Sequence, residues 1–195
     1  MNQPLALVAF AFVGSITPGP NNALLLGSGI RFGFRRTAPH VAGTALGMGV
    51  LVFAVAGGVG VVLLAVPGAD LALKLAGSAY LLYLAFGILV SQGAGRTTAA
   101  RPLGVLAAAA FQLANPKGWL FALTAAATFL PRERTPVVGG LAVAATSAVV
   151  ILGTATVWAA GGAALQRFAE GRRAQRAVNV ALALVLAASV ALIWA

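Results

Sequence analysis

Two short clusters carry the residue types that could hold a polar ligand. Thr17-Pro18-Gly19-Pro20-Asn21-Asn22 lies near the start of the chain and Asn115-Pro116-Lys117-Gly118 just past its middle, both inside long apolar runs. A proline removes a backbone donor and its ring clashes with the preceding turn, so a membrane helix carrying such a cluster must break or unwind. The break frees carbonyls, amides and helix ends for something polar. Asparagine amides beside it, at Asn21, Asn22 and Asn115, can cap a helix end or donate and accept across a cavity. Lys117 adds a charge that costs about 2.5–3.5 kcal/mol at the centre of a membrane span and so marks a functional site by default. Its alternatives are snorkelling, which is least effective mid-span, and structural pairing with the carbonyls of a broken helix.

The other chemistry-bearing residues exclude more than they offer. The three acids, Asp70, Glu133 and Glu170, fall in loops or at helix ends, so neither a catalytic carboxylate pair nor an acidic cage for a hard cation can be placed. One histidine, two methionines and no cysteine give a transition metal almost no ligands. His40 follows Pro39 at the start of a span and is expected as an interfacial residue rather than a proton relay. Serines and threonines lack a neighbouring base. Thr17, Thr44, Thr124, Thr146, Ser147, Thr154 and Thr156 therefore read as helix-to-helix hydrogen-bonding groups or ligand contacts. No enzyme, metal site or cofactor is expected. Tyr80 and Tyr83 fall mid-span, where their hydroxyls need partners, and are expected on the wall of the same cavity. Trp119 and Trp158 read as interfacial anchors.

Positioning these residues needs a membrane. Of 195 residues 61% are hydrophobic and 8% charged, and mean hydropathy is +0.97, whereas soluble domains carry about 25% charged residues. At roughly 20 residues per crossing, six spans fit. They run from about Leu5 to Ser28, Ala38 to Val66, Leu71 to Val90, Leu103 to Leu130, Val137 to Leu165 and Ala177 to Trp194. The net charge of +10 reports topology, since no stretch interleaves basic and aromatic residues as a nucleic-acid surface would. Odd-numbered loops hold nine basic residues (Arg31, Arg35, Arg36, Arg96, Arg101, Arg167, Arg172, Arg173, Arg176) and even-numbered loops hold Lys74, Arg132 and Arg134. The nine are expected in the cytoplasm, with both termini outside. The first segment, preceded by Met1-Asn2-Gln3-Pro4 without a basic n-region, is expected to stay in the mature protein.

The expected architecture is an all-α integral membrane protein, one domain over 1–195. It comprises six transmembrane helices as two inverted three-helix repeats, about 1–92 and about 100–195, with helices 1 and 4 broken by proline. A shift of 98 residues lays Pro18 on Pro116, Arg36-Thr37 on Arg134-Thr135 and Lys74 on Arg172. Three spans per half is an odd number, so the second half enters the membrane the other way up, and a matched pair of breaks points to the site of a secondary transporter. Gly43 and Gly47, and Ala56 and Gly60, permit close helix contact within a protomer or between two, which leaves a homodimer open.

Thr17-Pro18-Gly19-Pro20-Asn21, Lys74-Leu75-Ala76-Gly77-Ser78-Ala79-Tyr80-Leu81-Leu82-Tyr83-Leu84 and Asn115-Pro116-Lys117 together resemble the LysE/RhtB family of amino-acid exporters, over the whole chain. The resemblance implies a multi-pass protein of the bacterial inner membrane that exports an amino acid or related metabolite in exchange for protons. Two features depart from it. Many relatives carry an aspartate in the fifth helix, where Ile151 to Thr154 lie here, and a histidine in the second helix near Phe53. The proton carrier is thus not identified, and a missing carboxylate disfavours cationic cargo. The expected cargo is a small neutral amino acid, held by Thr17, Pro18, Gly19, Pro20, Asn21, Asn22, Tyr80, Tyr83, Asn115, Pro116 and Lys117. A metal or cation exporter, and a non-transporting subunit or channel, are the alternatives.

Overall fold

Apolar runs punctuated by proline and glycine fold into helices that end where those residues fall. The structure, a computed structural model, describes residues 3–60, 65–90, 101–131, 135–168 and 171–194. The loop at 91–96, the segment Arg132-Glu133-Arg134 and Glu170 lie outside the described residues, as do the side chains of Asp70, Arg167 and Arg172. The described residues form α1 (Gln3–Ile16), α2 (Pro20–Phe32), α3 (Phe34–Ala56), α4 (Ala69–Val90), α5 (Val105–Phe111), α6 (Pro116–Phe129), α7 (Pro136–Leu165) and α8 (Arg172–Trp194), with 3-10 turns at Gln112–Ala114 and Gln166–Phe168 and no strand.

Within α3, α4, α7 and α8, four stretches are long and apolar enough to cross a membrane. The first and fourth expected spans are each two shorter helices, interrupted at Thr17–Gly19 and at Gln112–Asn115, beside the prolines that cannot donate into the ladder. Leu5, Val50, Leu106, Val149 and Leu184 are all exposed, a surface that suits lipid and not water.

One boundary differs from expectation. The first span does not end at Ser28 with a loop through Arg36: α2 runs on to Phe32, Gly33 alone makes the turn at φ 74°, and α3 starts at Phe34. A side chain disfavours that left-handed backbone, whereas glycine adopts it freely. Thr37 seals the corner, its hydroxyl donating to the Gly33 carbonyl at 2.9 Å and lying 3.0 Å from the Ser28 hydroxyl. Gly57 and Gly58 interrupt the second expected span after α3, and helix resumes at Val59.

In lipid, tails are as apolar as leucine, so close packing and hydrogen bonds hold helices together. α3 and α7 pack against each other at the centre, α4 pairs with α8, and α2 lies on α7. The α2–α7 crossing is backbone on backbone: a Cβ on Gly29 would strike the Ala159 carbonyl, and one on Gly162 the Leu26 carbonyl. Gly43 and Gly47 lie against α5 in the same way, a Cβ on Gly47 coming within 2.6 Å of the Ala109 backbone. Their small-residue pattern therefore serves a contact inside the protomer.

Candidate functional site

Breaking α1 from α2 strips five consecutive carbonyls of their ladder donors: Pro18 and Pro20 have no N–H, the extended Gly19 turns its own away, and those of Asn21 and Asn22 are first-turn donors of a new helix. Each finds a side chain instead. Gly14 O accepts from the Thr17 hydroxyl at 3.1 Å. Ser15 O accepts from Asn22 Nδ2 at 2.8 Å, and Ile16 O from the Trp158 indole of α7 at 3.2 Å. Thr17 O takes both Asn22 Nδ2 at 2.8 Å and Lys117 Nζ at 2.7 Å. Pro18 O takes Lys117 Nζ at 3.2 Å, and the ammonium also reaches Thr17 Oγ1 at 2.8 Å. Ser15 and Ile16 are half-buried, and a carbonyl left there without a partner would cost on the order of 1–3 kcal/mol.

Lys117 stands in the first turn of α6, directly after Pro116. Three hydrogen bonds donated by the ammonium, each worth about 1.5–3 kcal/mol when one partner is charged, offset the cost of a lysine in a span. The ammonium of one broken helix thereby satisfies the backbone of the other, the pairing that stood as an alternative to a binding role.

The second break has its own network. Asn115 does not cap α6 through its side chain. Its Nδ2 donates to Gln112 Oε1 at 3.2 Å, Gln112 Nε2 donates to Asn21 Oδ1 at 3.1 Å, and the Thr44 hydroxyl of α3 donates to the same oxygen at 3.2 Å. Asn21, Thr44, Gln112 and Asn115 are all buried. Asn115 Oδ1 is buried without a hydrogen-bond partner among the described residues. The Trp119 indole covers Leu113 O at 2.9 Å, so Trp119 and Trp158 each donate to a carbonyl beside a break.

Between the breaks is a cavity of about 50 Å³, lined by Gly19, Asn21, Asn22, Thr44, Gln112, Asn115 and Lys117, with Ser15 and Thr154 bonded to each other at 2.9 Å beside it. A water needs about 10–15 Å³ measured this way, so a few waters fit. Ile151 and Thr154 of α7 line it too.

Of the residues singled out by sequence, Gly19, Asn21, Asn22, Asn115 and Lys117 meet here, with Thr17, Pro18, Pro20 and Pro116 forming the breaks that shape it. Tyr80 and Tyr83 do not line this cavity. Tyr80 leans on Phe111 and Tyr83, and Tyr83 is 63% exposed beside a different groove. Gln112, the centre of the network, went unread, although a glutamine four residues before a proline in an apolar run is itself a signal. His40, expected at an interface, is 1% exposed. Among the described residues, no three His, Cys, Asp or Glu side chains group to hold a metal.

The profile described as LysE type translocator matches residues 12–193. The cysteine/O-acetylserine efflux protein of Shigella flexneri serotype 5b (strain 8401) is 32% identical over 187 residues, 94% of each chain. The protein of that name from Escherichia coli K12 is 31% identical over 182 residues, 93% of this chain and 92% of its own. That from Salmonella typhimurium LT2 is 31% identical over 186 residues, 94% of each. No solved structure matches the chain.

Proposed function

Because the chain belongs to the LysE type translocator family and is a membrane transporter, not an enzyme, we propose that it exports a small neutral amino acid or close metabolite by alternating access. The observation that carries this reading is Lys117 Nζ resting on the carbonyls of Thr17 and Pro18. An ammonium on carbonyl oxygens is half of a zwitterion's own pairing. An incoming amino acid inserts into it: its carboxylate replaces the carbonyls as acceptor for Lys117, and its ammonium replaces Lys117 as donor to Thr17 O and Pro18 O. Lys117 Nζ and the carbonyls of Thr17 and Pro18 thereby keep partners in both states, as a bistable site in lipid requires. Asn115 Oδ1 offers the ammonium a further acceptor, and the N-terminal ends of α2 and α6, at Pro20 and Pro116, favour the carboxylate.

A cavity of about 50 Å³ is too small for an amino acid with a side chain, so cargo entry requires the ammonium–carbonyl clasp to open. That opening couples binding to movement of the two halves. Their arrangement supports six crossings as inverted repeats: a broken helix and two long ones recur in each half. The contacts exchange accordingly, since α3 packs on α7 and α4 on α8, while α1 on α7 mirrors α5 on α3, and α2 on α7 mirrors α6 on α3. With the arginine-rich ends in the cytoplasm, both termini lie outside, in the inner membrane of a bacterium.

Neutral cargo suits a cavity holding the Lys117 cation, several amides and freed backbone carbonyls. The relatives named for cysteine and O-acetylserine efflux are in keeping with that class. Proton exchange is the coupling the resemblance implies. The test is efflux from cells preloaded with alanine, leucine, threonine or cysteine dipeptides or with O-acetyl-L-serine. Export of at least one cargo that is lost in Lys117→Met is expected. Wild-type export by Lys117→Ala, Asn115→Ala and Pro18→Ala alike overturns the placement of the site.

A further inference from the structure

The lining of the central cavity has two characters. Asn21, Thr44, Gln112, Asn115 and Lys117 make the polar part, and Met48, Phe121 and Ile151 bring large apolar side chains to the rest. The polar part is tied together by hydrogen bonds and meets the two charges that all amino acids share. Amino acids differ in their side chains, and the apolar part of the wall is where an apolar side chain loses least by leaving water.

Phe121 is the apolar residue in register with the charge that orients the cargo. It follows Lys117 by four residues on α6, and residues so spaced lie on one face of a helix, one above the other. The side chain of an amino acid leaves the same carbon as its carboxylate, so a carboxylate on Lys117 sets that side chain within reach of the ring. The ring is held in place. It is 8% exposed and stacks on Phe10 of α1, centroids 5.0 Å and planes 29° apart, while Phe10 in turn leans on Phe129 at 5.4 Å. Gly14, one turn after Phe10 on α1, leaves the room that the ring fills: a Cβ there would lie 3.0 Å from Phe121 Cδ2 and 3.2 Å from Cε2. A flat ring packed in this way sets a firm limit, whereas the unbranched thioether of Met48 adapts to what it meets.

Resting on the exporter reading, we propose that Phe121, fixed by Phe10 and Gly14, sets the largest side chain that the cargo can carry. Withdrawing the ring admits larger amino acids, and advancing it, or filling the space beside it, excludes them. A hydrophobic pocket separates neighbours that differ by one methylene by about 10- to 200-fold, so small movements of this wall decide which amino acid is exported.

Two substitutions test this in opposite directions. Phe121→Leu shortens the wall. Gly14→Ala narrows the cavity, because Gly14 itself lines it and the added methyl either displaces the ring by a few tenths of an ångström or occupies the space directly; within a helix alanine is favoured over glycine, so the backbone tolerates it. Cells are preloaded with dipeptides of alanine, threonine, leucine or phenylalanine, and the efflux of transporter-free cells is subtracted. For a larger and a smaller cargo that the wild type exports, leucine and alanine in the first instance, the efflux ratio should rise about tenfold in Phe121→Leu and fall about tenfold in Gly14→Ala. Phe129→Leu alters the same aromatic cluster away from the cavity lining and should keep the wild-type ratio. A ratio unchanged in both variants while each still exports, or moved the same way by both, overturns the role of Phe121 and leaves the exporter reading standing. An equal shift in Phe129→Leu assigns the effect to packing of the cluster and also overturns it. Should Phe121→Leu not fold, the sign of the shift in Gly14→Ala decides alone. No efflux of any of these cargoes by the unaltered protein sinks the exporter reading, and the size limit with it.

Discussion

Lys117 Nζ lies 2.7 Å from the carbonyl oxygen of Thr17, one hundred residues earlier in the chain, and this contact joins the two broken helices across the central cavity. The ammonium is both a structural plug for the first break and the cation that a carboxylate would seek, so its removal should act on transport more than on folding. Lys117→Met retains the apolar stem, leaves Thr17 O with Asn22 and frees only the carbonyl of Pro18, an exposed residue. Efflux should fall at least about tenfold, equivalent to roughly 1.4 kcal/mol of lost interaction, while the thermal midpoint of the purified protein changes little. Unchanged efflux would remove Lys117 from the mechanism.

Gly19 sits against that side chain. An added Cβ would lie 2.9 Å from Lys117 Cδ and 3.2 Å from Nζ, and since Gly19 is extended at φ −176°, alanine costs nothing in backbone strain there. Gly19→Ala should push the flexible lysine off the carbonyls and reduce efflux with little loss of stability. Gly153→Ala, in open space, is the matched control and should export normally.

Asn22 and Trp158 should behave in the opposite sense. Asn22→Ala leaves Ser15 O without its donor, and Trp158→Phe does the same to Ile16 O while keeping an aromatic ring. Each should cost about 1–3 kcal/mol, read as a lower midpoint of thermal unfolding. Two variants as stable as wild type would mean that the break does not depend on these caps.

At the α2–α7 crossing, Gly29→Ala places a methyl against the Ala159 carbonyl, which is backbone and cannot swing aside. The helices must part, at a cost of about 1–3 kcal/mol for overpacking. Lower yield of folded protein and a lower midpoint are expected; a variant matching wild type in both would show that the helices do not touch there.

The breaks were legible because proline chemistry is local: Pro18, Pro20 and Pro116 disrupt a helix whatever surrounds them, and a lysine in an apolar span announces itself. What lay beyond reach depended on which way each helix faces. Tyr80 and Tyr83, three residues apart, share a general side of α4, but Leu81 and Ala85 turn toward α5 and α8, and that packing carries Tyr83 away from the central cavity. Polar residues such as Gln112 and Thr44 could be read one at a time, whereas their meeting at Asn21 Oδ1 is a property of three helices at once. The single-residue turn at Gly33 was masked by the arginines around it, which suggested a longer loop.

The sequence contains two lysines, Lys74 and Lys117, and Lys74 lies over the Trp194 ring at 5.9 Å, on the α4–α8 pair. Protein labelled with 15N at the lysine ζ position therefore gives two side-chain signals, assigned by Lys74→Arg. Addition of saturating O-acetyl-L-serine, or of whichever amino acid the efflux assay identifies, should shift the Lys117 signal as its acceptors change from carbonyls to carboxylate and leave that of Lys74 in place. A Lys117 signal that does not move while the same sample demonstrably binds cargo would contradict the exchange of partners on which the account rests.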